Sequence, residues 1–279
     1  MDILLKILHN VVLTPYFLAW TAAAIVFLVV RRWWHFRGHA KRREAQIAAL
    51  TPLAQRLGGR LLGPGEAAMW TAELCKPFRN EFSVALRSKR QFDLSLDFQR
   101  GPWHVRVTEA SVRYDSRGFG VRWLQEHRVE IATARLAPLK VRRPTKYNVT
   151  NGQPLSPSQL ESEWTQSVSY EPETAKQADA QWVPVPLPPP MDQEFSAYGS
   201  DPAAAARELN FGALHWIIDQ EGSLPAFAKG LSLTFESGFV YLVVHDHIYP
   251  DDLMGVVETI CGLLDRMPGA RPRHPAATV

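Results

Sequence analysis

His245-Asp246-His247 is the densest group of chemistry-bearing side chains in this 279-residue chain. Two histidines at i and i+2 lie on one side of a strand, and Asp251 and Asp252 follow closely. His245, His247 and Asp251 are therefore a candidate divalent-metal set. The spacing is loose, no further ligand set follows it, and polar residues commonly end a strand. Asp93, Asp97 and Glu109 are candidates for paired carboxylates, the groups that divide acid and base work; alternating strand positions also generate such pairs routinely. His215, beside Trp216 on an amphipathic stretch, reads as a packed or surface histidine. Cys75 and Cys261 are the only cysteines. They form no CxxC pair and suit a reducing compartment as small buried hydrophobes. The chain has no P-loop, no GxGxxG opening a helix, no HExxH and no GxSxG, so the commoner nucleotide-binding and hydrolase signatures are missing. No catalytic residue and no cofactor is assigned.

The elements that must position these side chains come next. From Phe92 the apolar period is two: Phe92, Leu94, Leu96 and Phe98 alternate with polar residues. Arg100-Gly101-Pro102 marks a turn, and Trp103, Val105 and Val107 begin a second strand. Val112–Tyr114, Gly120–Leu124, Val129–Ala134 and Leu139–Val141 extend an antiparallel meander over residues 61–143. Its intervening arginines, Arg106, Arg113 and Arg122, read as a solvated face, and Glu66–Cys75 as a mixed helical stretch. In residues 193–268, Ser200-Asp201-Pro202 is a helix cap with proline at the first helical position. Phe211, Leu214 and Ile218 continue one apolar face past a bend near Gly212. Leu231–Phe235 and Phe239–Val244 form a hairpin around Ser237-Gly238. Pro250-Asp251-Asp252 opens a helix with Leu253, Val256, Val257, Ile260, Leu263 and Leu264 on one stripe. Residues 269–279 are a tail.

Residues 138–190 hold ten of the 21 prolines and many polar residues, a composition poor in apolar surface to bury. Residues 144–192 read as a proline-rich insertion ending in the stiff Val183–Pro190 stretch. Trp164, Tyr170 and Trp182 are its costly aromatics. They either tack the insertion to the folded body or dock a partner. Asn148-Val149-Thr150 matches a glycosylation sequon, a three-residue pattern common by chance.

The N-terminus is of another kind. Val11–Val30 is uncharged and is followed by Arg31, Arg32, Arg37, Lys41, Arg42 and Arg43. Twenty helical residues span about 30 Å, the thickness of a bilayer's hydrocarbon core. Residues 1–37 are thus expected to be a transmembrane anchor, its helix starting at Thr14-Pro15. Residues 3–12 are then an interfacial helix or the first arm of one long helix kinked at Pro15. Arg31, Arg32, Trp33, Trp34 and Arg37 fall at the membrane interface, where amphipathic rings and positive charge settle. Residues 31–60 carry eight Lys/Arg against one acidic residue, +7, whereas residues 1–30 sum to zero and the remaining 219 residues to 3 − 7 = −4. That asymmetry expects a single-pass protein of a cell inner membrane, N-terminus outside, with a cytoplasmic C-terminal domain. It leaves no basic face for nucleic acid. Residues 38–60 read as a juxtamembrane helix with Ala48, Ala49, Leu53 and Leu57 at helical spacing, kinked or broken at Thr51-Pro52 and stopped by Gly58-Gly59.

The C-terminal block carries a resemblance. Phe195-Ser196-Ala197-Tyr198-Gly199-Ser200-Asp201-Pro202, then Ala206-Arg207-Glu208-Leu209, then Leu231-Ser232-Leu233-Thr234-Phe235 resembles a family of uncharacterised bacterial membrane-anchored proteins known only as a domain of unknown function. The likeness covers about 60 residues, and the N-terminal helix with Leu57-Gly58-Gly59 is compatible with it. Each position has a capping or packing reason, so the resemblance implies architecture and transfers no catalytic residue.

The fold class expected is therefore α+β: one transmembrane helix, then antiparallel strands covered by helices, interrupted by the proline-rich insertion. The function expected is a non-catalytic accessory or scaffolding subunit, with the lipid bilayer and other membrane subunits as partners and no nucleic acid. A membrane-tethered metal-dependent enzyme using His245 and His247 is one rival. A cytoplasmic ligand- or peptide-sensing domain with a pocket under the curved sheet is the other.

Overall fold

The computed structural model describes residues 15–78, 89–116, 120–144, 146, 153–162 and 182–272. The expected interfacial helix 3–12, the sequon at Asn148, Trp164 and Tyr170 lie outside them. The chain divides into two compact units, Met1–Gln46 and Ile47–Val279.

The first unit corrects the expected anchor. Helix α1 (Pro15–Arg56) begins in this unit. Its uncharged residues end at Arg31. Among the described residues no helix is long and apolar enough to cross a membrane. The single-pass fold class and the inner-membrane placement with a cytoplasmic domain are overturned together, since both rested on that span. The interface roles given to Arg31, Arg32, Trp33, Trp34 and Arg37 rested on it too.

The second unit is organised by one antiparallel sheet, where the sequence suggested a meander and a separate hairpin block. Its strands are β1 (Arg60–Leu62), β2 (Arg90–Arg100), β3 (Trp103–Ser116), β4 (Gly120–Ala132), β5 (Leu139–Arg142), β6 (Val183–Pro184), β7 (Ser196–Gly199), β8 (Ser232–Glu236) and β9 (Phe239–Val244). Their order is β1-β2-β3-β4-β9-β8-β5-β7-β6. The β8–β9 hairpin joins the meander because β9 pairs with β4, Leu242 opposite Val129. Val112–Tyr114 belongs to β3, and Gly120–Leu124 and Val129–Ala132 are one strand, β4.

The proline-rich end is stitched to the sheet. Val183 and Pro184 pair with β7, the Val185 N–H donates to the Ala197 carbonyl at 2.9 Å, and Trp182 and Val185 are buried. Prolines on this edge supply no donors to a further strand, which blunts it against pairing with another chain.

One face of the sheet builds the main core. Leu94, Leu96, Val105, Val107, Val129, Ile131, Leu233, Phe235, Val240 and Leu242 form one core with residues of the last turns of α1 and of four further helices. α2 is Pro202–Glu208, α3 Phe211–Asp219, α4 the single turn Ala226–Lys229, and α5 Pro250–Asp265. α5 buries Leu253, Val256, Val257, Ile260, Leu263 and Leu264, the stripe its sequence spacing implies. Asp201 Oδ1 accepts from the Ala204 N–H at 3.0 Å and starts α2. The bend expected near Gly212 falls earlier: Asn210 Oδ1 accepts from the Ala213 N–H and starts α3 as a separate helix. α1 continues through Pro52 to Arg56 instead of breaking there. It stops at Gly58 (φ 60°), where the Gly59 N–H reaches back to the Ala54 carbonyl at 2.8 Å. A Cβ on Gly59 would lie 2.6 Å from the Asp97 carbonyl oxygen, so the close passage of β1 along β2 requires glycine.

The opposite face is covered by residues 63–78, a succession of turns where a helical stretch was expected. Met69 and Phe78 in this strap pack on Ala110 and Val112.

Candidate functional site

Along β4, successive side chains alternate between the two covered faces, and the polar ones are buried on both. Glu126, Arg128 and Glu130 point under the strap; His127 points into the main core. All four are at most 3% exposed. Burial of charge is costly unless every charged atom is paired, and the strap does the pairing. Arg128 donates Nε and Nη2 to Glu126 Oε1 at 3.0 and 2.9 Å. Its Nη1 donates to the Thr71 hydroxyl at 3.2 Å and to the Cys75 carbonyl. Glu130 Oε1 accepts from the Thr71 N–H and hydroxyl, both at 2.7 Å, and Oε2 from the Trp70 N–H. Glu126 Oε2 accepts from the Phe78 N–H at 2.7 Å. Phe78 adopts φ 59° to present that N–H, a left-handed conformation costing a non-glycine residue roughly 1–2 kcal/mol. Burial holds the Glu130 carboxyl above its ordinary range, against the opposing pull of Thr71, Arg128 and Trp70.

The same strap engages Arg106. That residue is not on a solvated face as its sequence position suggested: it forms a two-pronged pair with Asp97, donates to the Ala68 carbonyl at 3.0 Å, and lies 4.7 Å over the Trp70 ring. A third ionic cluster fastens the far side of the sheet. Buried Arg143 donates to Glu221 at 2.6 Å and Glu194 at 3.2 Å, and Lys146 also meets Glu194. Burial alone would raise the Glu194 carboxyl, but Lys146 and Arg143 outweigh it and the net shift is downward.

The histidines singled out by sequence take separate partners. His247 Nδ1 lies 3.1 Å from Glu109 Oε1 in the main core's end, whereas His245 Nδ1 lies 3.9 Å from Glu126 Oε2 on the strap side. The i, i+2 rule fails because β9 ends at Val244, so the two residues leave the pleat that would have aligned them. Asp251 sits in the exposed first turn of α5. Among the described residues no group of three or more His, Cys, Asp or Glu side chains is arranged to hold a metal ion. Asp97 and Glu109 are engaged by Arg106 and by His247. Glu109 Oε2 also accepts from the Ile248 N–H at 3.1 Å. His215 pairs with Asp219 one turn along α3. Cys261 is buried in α5 and its thiol is pushed up to about 12 by desolvation, which leaves it an unreactive thiol at neutral pH. Trp182 is 7% exposed and faces the protein's own interior.

The surface that stands out is on α1. Ile25, Val26, Phe27, Leu28, Val29 and Val30 are each 48–64% exposed. Six consecutive residues at 100° intervals circle the helix, so apolar surface lies on every side rather than on one stripe. Trp20, Trp33 and Trp34 are 52–77% exposed and extend the surface in both directions. Arg37 lies over the Trp33 ring at 4.7 Å. Soluble monomers rarely leave contiguous apolar patches of this kind uncovered.

No family model matches the chain, and neither a curated protein nor a solved structure is similar to it.

Proposed function

We propose that this protein is a non-catalytic accessory subunit that docks into a larger protein assembly through the apolar part of α1. The observation that carries the reading is the uncovered ring of side chains from Ile25 to Val30. Burying one such aliphatic or aromatic side chain is worth about 1.5–3 kcal/mol, so six in succession make a strong drive to associate. The occupant is a set of α-helices of a partner protein, because only neighbours on several sides cover an all-round apolar helix. Charge names the partner's chemistry further. Arg31, Arg37, Lys41, Arg42 and Arg43 follow the apolar ring on the same helix, and carboxylates on the partner would meet them. Aromatic residues and arginine, which dominate interface energetics, are the types that border the ring.

Support also comes from the second unit. Among its described residues, Glu126, Arg128 and Glu130, and Arg106 with Asp97, are taken up in internal pairs that hold the strap, and Glu109 pairs with His247. The sheet face expected to line a ligand pocket is filled by Leu94, Leu96, Val107 and Ile131, each 0% exposed.

The test is site-specific photo-crosslinking from Val26 and Leu28 of the full chain in its own cells. The expected product is one discrete protein adduct whose crosslinks map to apolar helical segments, and which disappears when Val29 is replaced by glutamate. Crosslinks to lipid alone, or none at all, would remove the proposal.

A further inference from the structure

β6 (Val183–Pro184) runs on into a segment whose burial repeats every third residue. Trp182 and Val185 are buried and Pro188 is half-buried, whereas Val183, Pro186 and Pro189 are exposed. A strand alternates every two residues; a repeat of three is that of the polyproline II helix, which turns once in three residues. Composition agrees, since five of residues 183–190 are proline, and proline holds φ at about −65°. The inward ridge is anchored at both ends. The Val185 N–H donates to the Ala197 carbonyl at 2.9 Å and the Met191 N–H to the Pro188 carbonyl at 2.7 Å. Val185 and Met191 both belong to the main core. We propose that the outward ridge of Val183, Pro186 and Pro189 is a docking ligand for an aromatic-lined, proline-binding groove of a partner protein.

The partner's chemistry follows from what the ridge displays. Pro186-Leu187-Pro188-Pro189 sets two exposed prolines at i and i+3, the PxxP spacing that places successive rings on one side of a polyproline II helix. Proline has no N–H, so the ridge offers ring carbons and carbonyl acceptors. Tryptophan and tyrosine match both, with a flat apolar face and one donor at the edge. The same lack of donors turns away an added strand, so edge pairing with a second copy of this chain is not the occupant. Residues 182–191 carry no charge, and the first charged residue after them, Asp192, is exposed. Glu194 is already met by Arg143 and Lys146, which leaves Asp192 to face a basic residue on the groove's rim. Folding has also fixed the backbone of the ridge beforehand. A partner therefore binds it without the ordering cost that a free proline-rich chain imposes. The ridge is independent of α1 and rests on its own observations.

Isotope-labelled SH3, WW and EVH1 domains, three classes with aromatic proline-binding grooves, provide the test. Each is titrated with the unlabelled full-length chain and followed by NMR of its groove residues. At least one should bind saturably, with its shifts confined to the groove. A Pro186→Ala, Pro189→Ala double variant, in which α1 is untouched, should weaken that binding about tenfold or more, the equivalent of about 1.4 kcal/mol. Binding by none of the three domains overturns the proposal, as does equal binding of the natural chain and the variant. A synthetic peptide of residues 182–191 is the second probe. A domain that takes the peptide but not the full chain shows that folding hides the ridge, and that too overturns it. If the double variant fails to fold, competition decides in its place. The natural chain should displace a proline-rich peptide already seated in the groove, and failure to compete is the contrary result.

Discussion

Arg128 has a carboxyl-bearing neighbour two residues away on each side, and all three are sealed from water. Replacing it by alanine leaves Glu126 without its charged partner and removes the attachment to Thr71 and Cys75. Breaking a buried pair this way costs about 3–5 kcal/mol. Arg128→Ala should therefore lower the urea midpoint sharply, and a loss under 1 kcal/mol would contradict the pairing described. Glu130 gives a pH signature. Its folded pKa is raised, so the folded state holds the proton more tightly; its contribution is complete below about 4.5 and is lost as pH rises through the folded value. Relative to Glu130→Gln, the natural chain should lose stability as pH rises above about 4.5. Parallel stability curves for the two proteins would be incompatible with this. None of it was legible in the sequence. Glu126, Arg128 and Glu130 alternate like an outward-facing polar row, and nothing local shows that residues 63–78 fold over them.

At the scale of elements, local chemistry carries further. The Asp201 and Asn210 caps, the Ser237-Gly238 turn at positive φ and the stripe of α5 are all written within a few residues of where they act. Pairing across long separations is not. β4 finds β9 more than 100 residues away, and that pairing merges two apparent blocks into one sheet. Short strands such as β1 and β6 are invisible to periodicity because two or three residues hold no pattern. Packing between α3 and α5 makes the sharpest prediction here. A Cβ on Gly262 would lie 2.4 Å from the Trp216 ring. That ring is held by its Nε1–H donating to the Thr259 carbonyl at 3.0 Å and by Arg266 stacked 4.0 Å above it. Gly262→Ala should cost about 1–3 kcal/mol by overpacking. Thermal unfolding reads this directly: a midpoint equal to that of the natural chain would show that the ring yields freely.

For the whole molecule, charge and apolar surface are divided unequally between the two units. Residues 47–279 contain the sheet, both clusters of buried apolar residues and the ionic fastenings. A chain starting at Ile47 should fold and unfold cooperatively, with a thermal midpoint close to that of the full chain, as followed by circular dichroism. Loss of the cooperative transition would show that the first unit is needed for the second to fold. The uncharged run at the N-terminus was conspicuous in sequence, but composition alone does not say how much of it forms one apolar helix; among the described residues no helix is long and apolar enough to cross a membrane. Association through Ile25–Val30 is best tested by native size, measured without detergent, for the natural chain and for a Val26→Glu, Leu28→Glu double variant. The natural chain should sediment as one complex of fixed stoichiometry with a second protein, and the variant as a monomer. A natural chain that is already monomeric, or that floats with phospholipid vesicles in place of a protein partner, would contradict the account.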